Sequence, residues 1–335
     1  MIKSLHVKPV MNAKQLKGIE SQMLDEHQLN GVVVFDQSVK LYCEGKFKAL
    51  FLKAKGDKPI PQKHYDQALS ALEALKFKKA KDSMRVSVKQ TRIGGELLLG
   101  WKKEKARRED RIRQATRDQL GQHIGLEPLF WDFECAMREH LRDYWKHHMR
   151  QAFKLVKRPG EQLKTLQKVK DPWRRQLLEM TFGRSAFYGL LFAHFSTITL
   201  NRNILFGAHE DGNNMPGTMG CLSALGDYAG GILCLPRLGV AFDLRPRDLL
   251  IADTNEEFHT NLGPIVGKRY SVVAYLHSSL DTGMVPVFDS PDGKRKIFRG
   301  FRPREIQSST GDPERSRDKE RPDRMGLPQR KEIPR

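Results

Sequence analysis

The chain has few of the features that mark a membrane or secreted protein. No apolar run in its 335 residues approaches the roughly 20 residues that a membrane-spanning helix needs, and the N-terminus lacks the apolar segment of a signal peptide. Only four cysteines are present, and no two of them form a Cys-x-x-Cys pair. These absences predict a protein with reduced thiols and no membrane partner, located inside the cell: in the nucleus of a eukaryote, and otherwise in the cytoplasm.

Acidic residues are also in short supply. The 40 Asp and Glu residues face 59 Lys and Arg residues, so the formal net charge is +19. An excess of this size indicates a polyanionic partner, and nucleic acid is favoured over a membrane surface. The alternative is a protein that is basic without binding a polyanion. A phosphate-binding loop is not indicated, because Gly94-Gly95 lacks both the rest of a glycine-rich fingerprint and a following helix.

The segment from Thr197 to His277 has the pattern of a β-rich domain. It begins with an alternating run, Ser196–Leu200, that is typical of a strand with one buried face. Short apolar runs then alternate with turn-forming residues. The runs are Met219–Leu225, Gly231–Leu235, Val240–Leu244, Leu249–Ala252 and Ser271–Leu276. Several short strands joined by tight turns predict a sandwich or jelly roll, not a parallel α/β sheet.

Two histidines and a carboxylate in this segment form a candidate metal site. His209 and Asp211 follow the first strand closely, whereas His259 lies much further along the chain. In a double-sheet fold early and late strands can be neighbours, so the three side chains are expected to meet. Two imidazoles and one carboxylate leave open positions on a metal, as in non-haem Fe(II) oxygenases. A bare His-x-Asp pair is common by chance, so the surrounding strand pattern carries this hypothesis.

Arg269 and Ser271 supply a candidate anion site beside the metal. Alternate residues of a strand share one face, so these two side chains point the same way. A guanidinium beside a hydroxyl is suited to binding a carboxylate, such as the far end of a dicarboxylic co-substrate that chelates iron. The alternative is a surface arginine in a salt bridge next to an incidental serine.

Several stretches between residues 196 and 278 resemble the oxygenase domain of the TET/JBP family. Members of that family are 2-oxoglutarate- and Fe(II)-dependent oxygenases of nucleic-acid bases. The matching stretches are TITLNRN, AHED, GCLSALGDYAGGILCLPRLGVAFDLRPRDLL, FHTN and GKRYSVVAYLH. The resemblance covers about a quarter of the chain. One departure is Arg247, where family members often have Gly in a Pro-Gly-Asp turn. It changes a turn between strands and removes no ligand.

The resemblance implies both a fold and a reaction. The fold is α+β, with a double-stranded β-helix (jelly-roll) oxygenase core and flanking helices. Fe(II) is implied on His209, Asp211 and His259, with 2-oxoglutarate on Arg269 and Ser271. The implied reaction uses O₂ to hydroxylate the methyl group of 5-methylcytosine or thymine in nucleic acid, with DNA favoured.

The chain is predicted to have four regions. Residues 1–100 form a mixed α+β extension of the core, 101–195 a basic helical region packed on it, 196–280 the oxygenase core, and 305–335 a disordered basic tail. Within these regions Asn12 is predicted to cap a helix that ends at Glu26. Trp101–Asp118 is predicted to be an exposed helix, and Glu127–Phe153 a second helical region.

Two groups of residues are candidate nucleic-acid contacts. Trp145–Arg175 is strongly basic, and a high density of lysine and arginine is enough for phosphate binding that does not depend on sequence. Amide side chains flank the metal residues and offer hydrogen bonds to a base that has been flipped out of the stack. The alternative for these amides is hydrogen bonding in turns and at strand ends. The candidates are Lys154, Lys157 and Arg158 for phosphates and Asn203, Asn213 and Asn214 for the base.

Two other functions share these residues. A 2-oxoglutarate/Fe(II) hydroxylase of a protein side chain or small molecule, like a prolyl hydroxylase, would need the same metal and co-substrate residues and differ only in its partner. A nucleic-acid-binding protein with an inactive barrel is the third possibility. The presence of His209, Asp211, His259 and Arg269 argues against that third function. DNA binding that weakens steeply with salt would favour the base oxygenase.

Overall fold

The computed structural model describes residues 2–24, 31–54, 59–79, 94–104, 109–112, 125–155, 193–212, 214–278, 287–289 and 295–297. The predicted tail at 305–335 and the candidate contacts Asn213, Lys157 and Arg158 lie outside these residues. Among the helices that the structure describes, none has the length and apolarity needed to span a bilayer.

Strands dominate the part of the chain that the structure describes. The strands are β1 (Lys3–Val7), β2 (Val33–Phe35), β3 (Val39–Cys43), β4 (Lys46–Leu52), β5 (Lys78–Lys79), β6 (Gly95–Glu104), β7 (Glu109–Ile112), β8 (Thr197–Arg202), β9 (Gly220–Leu235), β10 (Val240–Phe242), β11 (Leu249–Ala252), β12 (Thr260–Tyr275), β13 (Val287–Asp289) and β14 (Arg295–Ile297). The α-helices are α1 (Ala13–Ile19), α2 (Gln62–Ala74), α3 (Glu127–His140) and α4 (Arg142–Leu155), and a short 3₁₀ turn spans Pro236–Leu238.

Strands β1 to β12 form one hydrogen-bonded network in two layers. The larger layer has the order β1-β3-β4-β11-β9-β12-β8-β6-β5. The smaller layer branches from the far end of β9, where Leu233–Leu235 pairs with β10, and β10 in turn pairs with β2. The long strands β9 and β12 therefore belong to both layers. This is the predicted double-stranded β-helix, and the α+β fold class is confirmed.

A corner in the β9–β12 ladder joins the two layers. The register shifts between Leu262 and Ile265, and Gly230 and Gly267 have positive φ angles of 75° and 94°. A Cβ atom on Gly230 would collide with the carbonyl oxygen of Pro264, and one on Gly267 with that of Asp227. Only glycine meets both conditions at this corner.

This ladder corrects the predicted strand breaks. The turn-forming residues at 227–230 and 263–267 led to the prediction of separate strands, but the two strands stay paired on both sides of the register shift between Leu262 and Ile265. The glycines bend a continuous strand pair here without ending it. The turn after Leu235 was predicted correctly, since β9 ends there.

Two helix predictions also need correction, and a third is confirmed. Within the charged stretch Trp101–Asp118, the described residues form strands and not a helix: the end of β6, Trp101–Glu104, pairs with β7. The preceding part of β6, Gly95–Gly100, pairs with the distant β8, and this sheet pairing outweighs the local charge pattern. The helical region Glu127–Phe153 is confirmed, and it consists of two helices that meet at Leu141. Asn12 caps α1 in a capping box with Gln15, as predicted, but α1 ends at Ile19.

The two faces of the larger layer have different partners. On β12, Tyr270, Val272 and Ala274 pack towards α2 and α3, together with Phe130 and Phe133 of α3. The alternate residues of the same strand face the space between the two layers. The predicted alternation on this strand is therefore correct, and it leaves Arg269 and Ser271 facing inwards.

Arg247 occupies a strained turn just before β11. Its φ is +74°, in the left-handed region that disfavours side chains with a Cβ. Its side chain compensates in part: Nε donates to the Ile60 carbonyl at 2.9 Å, and Nη1 donates to Gln62 Oε1 at 3.2 Å.

We expect Arg247→Ala and Arg247→Gly to differ in stability although both lose these hydrogen bonds. Alanine keeps the backbone strain, whereas glycine removes it, which is worth about 1 kcal/mol. The Gly variant should therefore unfold at higher urea concentration than the Ala variant and lie close to the unmodified protein. Equal midpoints for the two variants would show that this turn is not strained.

Candidate active site

Backbone pairing brings the two candidate histidine ligands together. His209 follows β8, and His259 directly precedes β12. The His209 N–H donates to the His259 carbonyl at 3.1 Å, and the His259 N–H donates back at 2.9 Å. The two ring centroids are 4.2 Å apart. Two segments far apart in the chain thus deliver both imidazoles to one point.

Asp211 completes the cluster. Its Oδ1 lies 3.7 Å from His209 Nε2, and its Oδ2 lies 3.8 Å from His259 Nε2. The candidate ligand atoms of the three residues all lie within 4.8 Å of one another. The Asp211 N–H donates to the Thr254 carbonyl at 2.8 Å, which fixes the start of the loop that carries the carboxylate.

The hydrogen bonds of the rings define which nitrogen would hold a metal. Nδ1 of His209 lies 2.8 Å from the Gly207 carbonyl, and Nδ1 of His259 lies 3.2 Å from the Glu257 carbonyl. A carbonyl only accepts, so each Nδ1 carries the proton and each Nε2 presents its lone pair towards Asp211. Two imidazole nitrogens and a carboxylate arranged in this way fit the donor set of a non-haem Fe(II) site.

The cluster opens into a cavity between the two layers. The cavity is lined by residues from both long strands, from β8 and β11, and from the metal cluster. Its lining combines the candidate ligands with an apolar wall and a polar far end. The apolar wall includes Phe206, Leu222, Leu233, Leu250, Ala252 and Val273, and the polar residues include Thr199, Asn201, Thr254, Asn261, Arg269 and Ser271.

Arg269 is a buried cation that lines this cavity. It is only 3% exposed, and no described carboxylate forms an ion pair with it. Its guanidinium carbon lies 5.5 Å from the centre of the Tyr228 ring, and its Nε has no hydrogen-bond partner among the described residues. Burial lowers the pKa of Arg269, and Tyr228 offsets part of that effect. A buried positive charge of this kind requires an anion.

The residues beside Arg269 add neutral hydrogen-bonding groups. Asn201 Nδ2 donates to Ser271 Oγ at 3.2 Å. Asn201 Oδ1 and Thr199 Oγ1 are buried in the cavity lining without a partner among the described residues. Buried polar atoms are nearly always paired, so the two donors among them, Thr199 Oγ1 and Arg269 Nε, fit a bound carboxylate, whereas Asn201 Oδ1 only accepts.

Sequence reasoning missed Thr199 and Asn201. Both lie on β8 at alternate positions and therefore on the same face. The signal was present in the sequence, because polar residues that alternate with Ile198 and Leu200 indicate a polar face on this strand. It was read only as a strand that leads to His209.

Two of the predicted base contacts are engaged within the protein. Asn203 Nδ2 donates to the Gly267 carbonyl at 2.9 Å, and Asn203 Oδ1 accepts from the Arg269 N–H. Asn214 is 3% exposed, and its Nδ2 donates to Thr254 Oγ1 at 2.8 Å. These bonds match the alternative raised for them, hydrogen bonding in turns and at strand ends.

Helix α4 brings basic residues next to the loop that follows Asp211. His147 Nε2 lies 3.4 Å from the Pro216 carbonyl, in the loop that follows Asp211. On the same helix, the Lys146 side chain is 51% exposed, and Arg150 is also exposed. Lys154 lies in the last turn of α4. The structure thus places one end of the predicted phosphate-binding segment next to the loop that carries a candidate ligand.

The chain is similar to known oxygenases in this region. Residues 186–278 match the model of the TET/JBP family, described as the oxygenase domain of the 2OGFeDO superfamily. The bifunctional helicase and thymine dioxygenase JBP2 of Leishmania tarentolae is 33% identical over 128 residues, which are 37% of this chain and 12% of that protein. The thymine dioxygenase JBP1 of Trypanosoma brucei brucei is 38% identical over 92 residues, which are 26% of this chain and 11% of that protein.

A solved structure, NgTET1 in complex with 5mC DNA, aligns with a TM-score of 0.43 and 13% identity, and the alignment covers 82% of this chain and 94% of that one. The chain spans about a tenth of the length of the curated relatives it matches. Members of the matched superfamily use Fe(II) and 2-oxoglutarate. Residues 186–278 are therefore similar to the oxygenase domain of the TET/JBP family.

Proposed function

We propose that this chain is an Fe(II)- and 2-oxoglutarate-dependent dioxygenase that hydroxylates the methyl group of a pyrimidine base, 5-methylcytosine or thymine, in nucleic acid. One observation carries the proposal: the His209, Asp211 and His259 cluster and the buried Arg269 line the same cavity. The relatives named as thymine dioxygenases support the choice of a base methyl group over other C–H bonds.

Each cavity residue has a proposed role. His209 and His259 bind Fe(II) through Nε2, and Asp211 binds it through its carboxylate. Arg269 and Ser271 bind the far carboxylate of 2-oxoglutarate, and Asn201 supports Ser271 by the hydrogen bond described above. When bound, the metal, 2-oxoglutarate and O₂ supply the oxidising chemistry, in which the co-substrate becomes succinate and CO₂.

The protein's own part is to orient the reactants and exclude water. The backbone bonds between His209 and His259 set the direction of the two Nε2 lone pairs before any metal binds. The apolar wall around Leu222, Leu233 and Leu250 limits access of water to the reacting centre. A base in a duplex must leave the stack to reach this depth.

The basic segment that begins in α4 is the proposed phosphate contact. Lys146 and Arg150 stand exposed on the helix that touches the loop after Asp211. Lys154, Lys157 and Arg158 continue the same segment, and we retain them as predicted contacts. Positive charge on the helix that contacts the loop after Asp211 would hold the sugar–phosphate backbone without reading its sequence. A location inside the cell, nuclear in a eukaryote, also stays a prediction.

The experiment that tests this function is anaerobic reconstitution with Fe(II) and 2-oxoglutarate, followed by O₂ and DNA that contains thymine or 5-methylcytosine. We expect succinate to form and the mass of one nucleoside to rise by one oxygen. DNA of the same sequence with unmethylated cytosine is the control for the 5-methylcytosine arm. Succinate without a modified base would shift the proposal to a protein or small-molecule hydroxylase, and no succinate would overturn the enzyme assignment.

A further inference from the structure

One loop makes contact with the candidate metal ligands through its backbone carbonyls. This ligand loop, Asp253–Phe258, joins β11 to His259. Its Thr254 carbonyl accepts the Asp211 N–H at 2.8 Å, and its Glu257 carbonyl accepts the Nδ1–H of His259 at 3.2 Å. His209 is tied to the end of the same loop through its backbone bonds with His259. A shift of the ligand loop would therefore move all three ligands.

The ligand loop is clamped by a buried lysine from a different part of the chain. Lys48 lies on β4 and is 4% exposed. Its Nζ lies 2.9 Å from Glu257 Oε1, 3.3 Å from Asp253 Oδ2 and 3.3 Å from Glu256 Oε2. The backbone adds a further link, since the Asp253 N–H donates to the Lys48 carbonyl at 3.0 Å. One ammonium thus binds three carboxylates of the loop.

A second cation holds the loop from the other side. Arg237 follows β9, and its Nε donates to Glu257 Oε2 at 2.8 Å while its Nη2 contacts Oε1 of the same carboxylate. The Glu257 side chain is 1% exposed. A two-point arginine–carboxylate contact fixes direction as well as distance. Glu257 is therefore held between Lys48 and Arg237, two residues before the ligand His259.

The protonation of these groups is set by the cluster. Burial alone would lower the pKa of Lys48, but the hydrogen bond and charge of Glu257, together with Asp253, outweigh it and raise that pKa. The hydrogen bond to Glu257 raises the pKa of Arg237 in the same way. Both cations stay charged at neutral pH. Buried ion pairs of this kind often add little net stability, yet breaking one is costly, so they are best explained by the geometry they impose.

We propose that Lys48, assisted by Arg237, is a positioning residue for the metal site: it fixes the ligand loop so that Asp211, His209 and His259 keep their spacing. The proposal rests on the proposed function, because it takes these three residues as iron ligands. Lys48 itself touches neither the metal nor the substrate. It acts through the Glu257 carbonyl on His259 and through Thr254 on Asp211.

Charge and geometry predict opposite effects of removing Lys48 on the affinity for the metal ion. A positive charge close to the site repels a divalent cation, so its loss would tighten metal binding if charge alone mattered. Loss of a group that orients the ligands weakens metal binding, typically by about 10- to 100-fold. The sign of the change in affinity therefore separates positioning from simple electrostatics.

The test compares Lys48→Met with Lys53→Met in the full chain. Lys53 is the matched control, because its Nζ pairs with Asp248 at 2.7 Å and with the Asp243 carbonyl at 3.2 Å, in the turn before β11 and away from the ligand loop. The measurement is anaerobic Fe(II) affinity by titration calorimetry, with thermal unfolding of the metal-free proteins beside it. We expect affinity to fall by about 10-fold or more in Lys48→Met and to stay unchanged in Lys53→Met.

The outcomes distinguish this inference from the proposed function. Unchanged or tighter Fe(II) binding in Lys48→Met would overturn the positioning role. If Lys48→Met does not fold, Arg237→Met removes a more exposed cation from the same clamp. Its Fe(II) affinity is also expected to fall. Failure of the unmodified chain to bind Fe(II), or equal binding by His209→Ala, would instead overturn the iron site itself.

Discussion

Replacing His209 with alanine should abolish succinate production from 2-oxoglutarate. The substitution leaves one imidazole and one carboxylate at the centre, and loss of even an outer residue of a metal site costs about 10- to 100-fold, so loss of a ligand should cost at least about 100-fold. The measurement is succinate release per enzyme with saturating Fe(II), together with Fe(II) affinity. Both should fall, because one of the two Nε2 donors is missing.

The control for this substitution is His6→Ala. His6 lies on β1, where it is exposed and stacks on the Tyr42 ring 5.2 Å away, so its loss removes an imidazole without touching the cavity. His6→Ala should keep full activity. The folded state of His209→Ala should also persist, since the His209 side chain is 27% exposed and its backbone bonds to His259 remain. Undiminished succinate release by His209→Ala would rule out the iron assignment.

Replacing Arg269 with methionine should affect function and stability in opposite directions. Loss of a buried charged partner costs about 2 kcal/mol or more of binding free energy, so the KM for 2-oxoglutarate should rise by about 30-fold or more. The metal-free protein should become more stable by about 1 kcal/mol, because an unpaired buried cation is replaced by an apolar side chain of similar length. Steady-state kinetics and urea unfolding measure the two effects.

Arg202→Met is the matched control for Arg269→Met. Arg202 also places its guanidinium over an aromatic ring, that of Phe77 at 5.4 Å, but it does not line the cavity. Its loss should leave the KM for 2-oxoglutarate unchanged and should give no gain in stability. A normal KM in Arg269→Met would show that the carboxylate of the co-substrate binds elsewhere. A loss of stability in that variant would mean that the cation has an anionic partner within the protein.

The parts of the site that follow from local pattern were predictable. Alternation along β12 placed Arg269 and Ser271 on one face, and both line the cavity. The capping role of Asn12 followed in the same way from side-chain chemistry. Such predictions succeed because a strand has a period of two and a helix start has fixed unsatisfied donors.

The parts that depend on distant partners were not predictable. The ion pair of Lys48 with Asp253 joins residues 205 positions apart, and nothing near Lys48 in the sequence indicates it. The stretch at Trp101 was predicted as a helix because its charged residues do not show that they continue β6, which pairs with the distant β8 through Gly95–Gly100. At the β9–β12 corner, the same glycines that usually end a strand here serve to bend it. A single sequence does not separate these two uses of glycine.

The corner in β12 also ties two binding sites to one length of chain. His259 directly precedes this strand, and Arg269 lies past the corner on the same strand, so the interval between them works as a ruler for the distance between metal and co-substrate. Deleting one residue beyond the corner would turn the guanidinium to the opposite face. The number of residues between His259 and Arg269 therefore sets both the spacing of the two sites and the face of the strand on which the guanidinium lies.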